Sequence, residues 1–172
     1  MATLSKSLYE CVNINSAPAP PARSFCRIIS PVIGALIVTH GNLAWELLNA
    51  ARQIEADVNG IAAVPLEWSD TVDAARDKIA EGLNRIGTDR PVIIFTDMFG
   101  GTPSNISLQF LEQGRVEIVT GVNLPMIVKF AMLKQEAKDV ATLAHVISEK
   151  GCKAIRVASD YLTAGKAAGA TA

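Results

Sequence analysis

Two residues far apart in the chain carry the chemistry. His40 closes the run Ile37-Val38-Thr39-His40 and is followed by Gly41-Asn42, and Asp97 follows Pro91-Val92-Ile93-Ile94-Phe95-Thr96. An imidazole that donates from one ring nitrogen to a carboxylate is held in one tautomer, and its other nitrogen is then a nucleophile. Directly after Asp97 come Met98, Phe99, Gly100, Gly101, Thr102 and Pro103. The glycine pair lets the backbone turn sharply, Thr102 suits an N-cap, and Pro103 suits the first helical position. This predicts a helix N-terminus whose amides and dipole favour an anion. A nucleophilic imidazole beside such a turn suits phosphoryl transfer, which needs little beyond position and preorganised donors. Glycine turns are common and a lone histidine is most often structural. The strand-end position of both segments is what singles them out.

Other candidates are weaker. His145 falls within the last predicted helix and reads as an ordinary helix residue. No Gly-x-x-x-x-Gly-Lys-Ser/Thr occurs and no Gly-x-Gly-x-x-Gly follows the first strand, so nucleotide and dinucleotide binding lose support. Glu46 and the Glu67, Asp70, Asp73 group read as solvated faces, not a metal cluster. The chemistry requires no metal and no organic cofactor. Trp45, Trp68, Met98 and Phe99 are suited to an apolar rim for a partner protein, with packing as the alternative for Met98 and Phe99.

These side chains need elements to position them. The chain has 172 residues, 49% hydrophobic and only 5% aromatic, which suits one domain built on a Val/Ile/Ala-rich parallel sheet covered by helices. A net charge of −1 with no basic stripe argues against nucleic acid as a partner. Cys11, Cys26 and Cys152 are scattered, which argues against a disulfide framework and fits a reducing cytoplasm. No apolar run is long enough to span a membrane, so no direct membrane insertion is expected, and no signal peptide opens the chain. Residues 1–31, with Ala17-Pro18-Ala19-Pro20-Pro21, read as a disordered extension, 32–158 as the domain, and 159–172 as a flexible Ala/Gly-rich tail.

Within the domain, strands and helices alternate. Strands are predicted at Val32–Thr39, Gly60–Leu66, Val92–Asp97, Val116–Val122 and, briefly, Lys153–Ala158. Helices are predicted from Leu43 to Val58, with Asn42 as a possible cap, from Thr71 to Arg85, with Ser69 or Asp70 as cap, and from Pro103 to Gln113. Two more begin at Pro125 and near Asp139, the last ending before Gly151. Such alternation implies a doubly wound, mostly parallel α/β sheet with helices on both faces. With an order beginning 2-1-3-4, the winding reverses between strands one and three, whose carboxyl ends carry His40 and Asp97.

Three segments, Ile37–Gly41, Thr96–Asn105 and Gly121–Met126, resemble the signature segments of the mannose-family IIA component of the bacterial phosphoenolpyruvate:sugar phosphotransferase system. The resemblance spans roughly Val32 to Ala158 with order and spacing intact. It implies that His40 is phosphorylated, that Asp97 orients it, and that Thr102-Pro103 opens the helix beside Gly100 and Gly101. Gly41, Met98, Phe99, Asn123 and Pro125 would flank the site. Some members have a hydroxyl residue after the aspartate; Met98 stands there, leaving backbone amides and Thr102 as donors. The resemblance further implies phosphate received from the phosphocarrier protein HPr and passed to a IIB component. It also implies a homodimer in which the last strand is exchanged. No IIB-like domain is expected in the residues after Ala158. Two alternatives stay open: the phosphotransferase subunit serving dihydroxyacetone kinase, and a regulatory module read through its phosphorylation state.

Overall fold

The computed structural model describes residues 32–159. The extension expected over 1–31, with Cys11 and Cys26, and all but the first residue of the expected tail lie outside the described residues. Short runs of Ile, Val and Ala form four strands: β1 (Gly34–His40), β2 (Ile61–Leu66), β3 (Val92–Thr96) and β4 (Val116–Thr120). They pair in the order β2-β1-β3-β4, every pairing parallel. β2 is an edge strand, which is why Pro65, without an N–H, is tolerated in it.

Side-chain alternation along β1 and β3 sorts the core into two layers. Ala35, Ile37, Ile93 and Phe95 face α1 (Leu43–Ile54), α4 (Leu124–Leu133) and α5 (Val140–Ala154). Leu36, Val38 and Ile94 face α2 (Val72–Ile86) and α3 (Thr102–Ser107). The helices earn these places by small or branched residues at helical spacing: Ala44, Leu48 and Ala51 on α1, and Ala75, Ile79 and Ile86 on α2. His40 continues the Leu36, Val38 alternation and therefore starts on the α2/α3 side of the sheet.

Several boundaries differ from the sequence reading, each for a local reason. Thr71 caps α2, its side chain accepting from the Ala74 amide, and Asp70 is used elsewhere. Asn42 occupies the cap position of α1 without a side-chain bond; the Thr39 hydroxyl instead accepts from the Ala44 amide at 2.7 Å. Gly101, not Thr102, is the cap residue of α3. α3 is also shorter than expected, passing into a 3-10 turn at Leu108–Phe110. The chain then reverses through Glu112–Arg115 to enter β4, and Phe110 packs on the α2-side core.

The predicted strand at Lys153–Ala158 is not formed. α5 continues through Gly151 to Ala154, and the following residues pair with no strand among those described. A strand exists only by its ladder, and Ile155 and Val157 stand 75% and 64% exposed with no neighbouring strand to complete one. No helix among the described residues is long and apolar enough to cross a membrane.

Candidate functional site

β1 and β3 are adjacent, so their carboxyl ends meet at the point where the winding reverses. There the His40 Nδ1 lies 2.7 Å from Asp97 Oδ2. The same oxygen accepts the His40 backbone N–H at 2.8 Å, and Oδ1 accepts the Met98 N–H at 2.8 Å. Three donors converge on one carboxylate, which keeps it an acceptor and requires the proton of the neutral ring to sit on Nδ1. The lone pair is then on Nε2. The side chains of His40 and Asp97 are 19% and 13% exposed, so the pair is shielded without being sealed.

Gly41 lets the chain leave β1 abruptly. Its φ of +52° is a left-handed conformation, while its N–H still extends the ladder by donating to Leu66 O at 2.8 Å. On the opposite side Gly101 closes on the imidazole. A Cβ there would lie 3.0 Å from His40 Cε1 and 3.7 Å from Nε2, so only hydrogen fits comfortably. Its φ of −75° is ordinary, so this position needs glycine for space and not for backbone freedom. No side chain caps α3, and Asn105 Nδ2 instead donates to Gly100 O at 3.2 Å. The leading N–H groups of Gly101–Thr102 therefore have no side-chain acceptor, as helix starts otherwise require. Thr102 is exposed beside them.

The Gly121–Pro125 loop lies alongside. The Val122 amide donates to Thr96 O at 3.0 Å, which sets the loop next to the residue before Asp97. Asn123 does not reach for the histidine. Its Oδ1 accepts from the Met126 amide at 3.1 Å and its Nδ2 donates to Gly151 O at 3.2 Å, so it caps α4 and ties it to α5. Pro125 occupies the first turn of α4. Met98 and Phe99, which follow Asp97 directly, are exposed, as are Trp68 beside His40 and Trp45 on α1. Trp68 does more than border the site, because its ring lies face to face with that of His40. His145 is exposed on α5, with no part in this cluster.

Sequence reasoning missed three supports. Asp70, read as a solvated carboxylate, is clasped by Lys78 and by the Glu67 amide, which together hold its carboxyl below the usual carboxylate range. Lys134, 1% exposed, donates to Asp57 O and Asn59 O at 2.9 and 2.6 Å and pairs with the Asp57 carboxylate at 3.2 Å. The third is the Thr39 cap on α1. None leaves a motif: the Lys134 contacts join segments distant in sequence, the Thr39 cap depends on the bend after β1, and the Asp70 clasp on the turn that leads into α2. Among the described residues no group of three or more His, Cys, Asp or Glu is placed to hold a metal ion.

Comparison with known proteins gives the family and the fold. A fructose-specific EIIA component of the phosphotransferase system (PTS) from Bacillus subtilis is 27% identical over 80% of this chain and 94% of its own length. The mannose-specific EIIAB component of Escherichia coli is 24% identical over 72% of this chain, which spans 40% of that longer protein. The solved mannose/sorbose-specific IIA subunit from Enterococcus faecalis superposes with a TM-score of 0.66 at 25% identity, covering 74% of this chain and 94% of that one. The family model described as the PTS system fructose IIA component, EIIA-man, matches residues 34–147, which include both strand ends, the glycine turn and the Gly121–Pro125 loop. This chain therefore belongs to the EIIA-man family of phosphotransferase-system IIA components.

Proposed function

We propose that this protein carries a phosphoryl group on His40 Nε2, taken from phosphorylated HPr and passed to a IIB component. The observation that carries the reading is the 2.7 Å bond between His40 Nδ1 and Asp97 Oδ2, which turns Nε2 outward as the free nucleophile at the sheet's switch point. In the transfer, the Nε2 lone pair forms a bond to phosphorus as the donor's N–P bond breaks, the electron pair returning to the donor nitrogen. The proton on Nδ1 stays in its bond to Asp97, which offsets the positive charge that develops on the ring. The backbone amides of Gly100–Thr102 face charge on the phosphoryl oxygens, with the Thr102 hydroxyl as a further donor. Gly41, Met98, Phe99, Asn123 and Pro125 shape the surroundings without touching the reacting atoms. The reading includes a homodimer, supported by the exposed Ile155 and Val157 after α5.

Incubation with phosphoenolpyruvate, Enzyme I and HPr tests the reading. One phosphoryl mass should be gained, lost in acid and kept in base, as a phosphohistidine is. His40→Ala should abolish it and His145→Ala should leave it unchanged. Asp97→Asn should fold normally yet slow uptake on the order of 10³-fold or more, as loss of an orienting carboxylate does elsewhere. Label persisting in the His40 variant would overturn the assignment.

A further inference from the structure

Trp68 belongs to no helix or strand. It lies in the turn after β2, two residues beyond Leu66, which is the register partner of His40. The Trp68 and His40 ring centroids are 4.7 Å apart with planes inclined by only 17°. Yet Trp68 is 84% exposed. An indole that gains so little burial is not held by packing into the core. Its stem is nevertheless fastened. The Glu67 amide donates to Asp70 Oδ2 at 2.8 Å, and the Asp70 amide donates to Glu67 O at 3.1 Å. Lys78 on α2 binds both Asp70 carboxylate oxygens, at 2.8 and 2.6 Å. The turn is a clasp that presents one aromatic face to one other ring.

An imidazole tethered by a single hydrogen bond can still tilt about that bond. Gly101 limits the Cε1 edge of the ring, and the Trp68 indole lies across a face. Tilt matters, because the Nε2 lone pair lies in the ring plane and attack on phosphorus must be in line. We infer that Trp68 is a positioning residue for His40, its stacked indole holding the ring in the plane from which Nε2 attacks. The inference rests on the proposed phosphoryl transfer. A face-on indole leaves the Nε2 edge open and keeps water from that face. It also favours the positive charge that grows on the ring as the N–P bond forms.

Phosphoramidate separates positioning from docking, because it is a phosphoryl donor with no protein surface. In that reaction Nε2 bonds to phosphorus, the P–N bond of the donor breaks, and its pair leaves on nitrogen as ammonia, which takes a proton from solvent. His40 labelling by phosphoramidate should be about tenfold slower in Trp68→Ala, the size of one lost stacking contact, and largely restored in Trp68→Phe. With phospho-HPr the loss should fall on the turnover number, with KM nearly unchanged. In the resting protein, the His40 ring protons should resonate upfield in NMR spectra and move downfield in Trp68→Ala. Equal phosphoramidate rates in wild type and Trp68→Ala would overturn the proposal alone, and a raised KM for phospho-HPr beside them would make Trp68 a docking residue. Ring protons without an upfield shift would also overturn it. Wild-type His40 unlabelled by either donor would overturn the function reading and the proposal together.

Discussion

At the scale of residues, the site depends on what is absent as much as on what is present. Asp97 accepts three N–H groups, two of them from His40 itself, so the carboxylate fixes the strand end and the ring at once. Gly101 leaves the space in which the ring sits. Its backbone angles suit any residue, so Gly101→Ala adds a methyl group at 3.0 Å from His40 Cε1 without backbone strain. The variant should keep its thermal midpoint within about 4 °C, since the backbone is unstrained and the His40 ring and the Met98 side chain need give by only a few tenths of an ångström. Phosphoryl uptake should nonetheless fall by about 10²-fold, the penalty for displacing a reacting group by a fraction of an ångström to an ångström. Unchanged uptake would show that the imidazole is not crowded there. The histidine and the carboxylate were both legible in the sequence, from their places after β-branched runs. In the sequence Gly101 has the marks of a turn-making, anion-binding residue; its contact with the ring exists only once β1 and α3 are brought together.

At the scale of elements, polar links that join helices to loops do much of the positioning. Asn123 joins α4 to α5, and Lys134 at the end of α4 joins that helix to the Asp57–Asn59 turn before β2. The Lys134 hydrogen bond is the chief cause that holds the Asp57 carboxyl below its ordinary value of 3.8, with the Asn59 amide next. A carboxyl whose pKa is lowered on folding contributes stability above the unfolded value, and that contribution is lost as pH falls through the folded one. Urea midpoints should therefore drop as the solution is acidified from pH 3.8 downward, and Asp57→Asn should remove part of that dependence. Parallel acid profiles for the two proteins would show that the link adds nothing to folding. Helix and strand identities were clear from apolar spacing, apart from the last. There Ile155 and Val157 give a strand-like pattern, but α5 runs on to Ala154 and no strand lies beside them to form a ladder.

At the scale of the whole molecule, β2 and β4 remain the two edges of the sheet, while Ile155 and Val157 project beyond α5. Edges without a partner strand among the described residues, and exposed apolar side chains, favour association with a second copy, which can supply further pairing. Light scattering of the full chain should give the mass of a dimer. Ile155→Asp with Val157→Asp should shift it toward monomer without loss of helical circular dichroism, because both side chains are exposed in the single chain. A wild-type monomer at all concentrations would remove the homodimer from the proposed function.

The amino-acid sequence alone determined the α/β class, the parallel sheet and the strand-end places of His40 and Asp97, which meet if the order begins 2-1-3-4, as it does in the structure. Those follow from local periodicity, from glycine and proline at turns, and from the handedness of crossovers, all of which act within a few residues or one connection. Only the tertiary structure decided that Asp70 clasps Lys78, that Lys134 is buried against two carbonyls, and that Trp68 lies on His40. Each of these depends on which residues the turns after β1 and β2 and the packing of α2 and α4 bring within reach. A solvated carboxylate and a clasped one have the same spelling, and so do a rim tryptophan and a stacked one. The difference arises from which neighbour the fold delivers and how much water it removes.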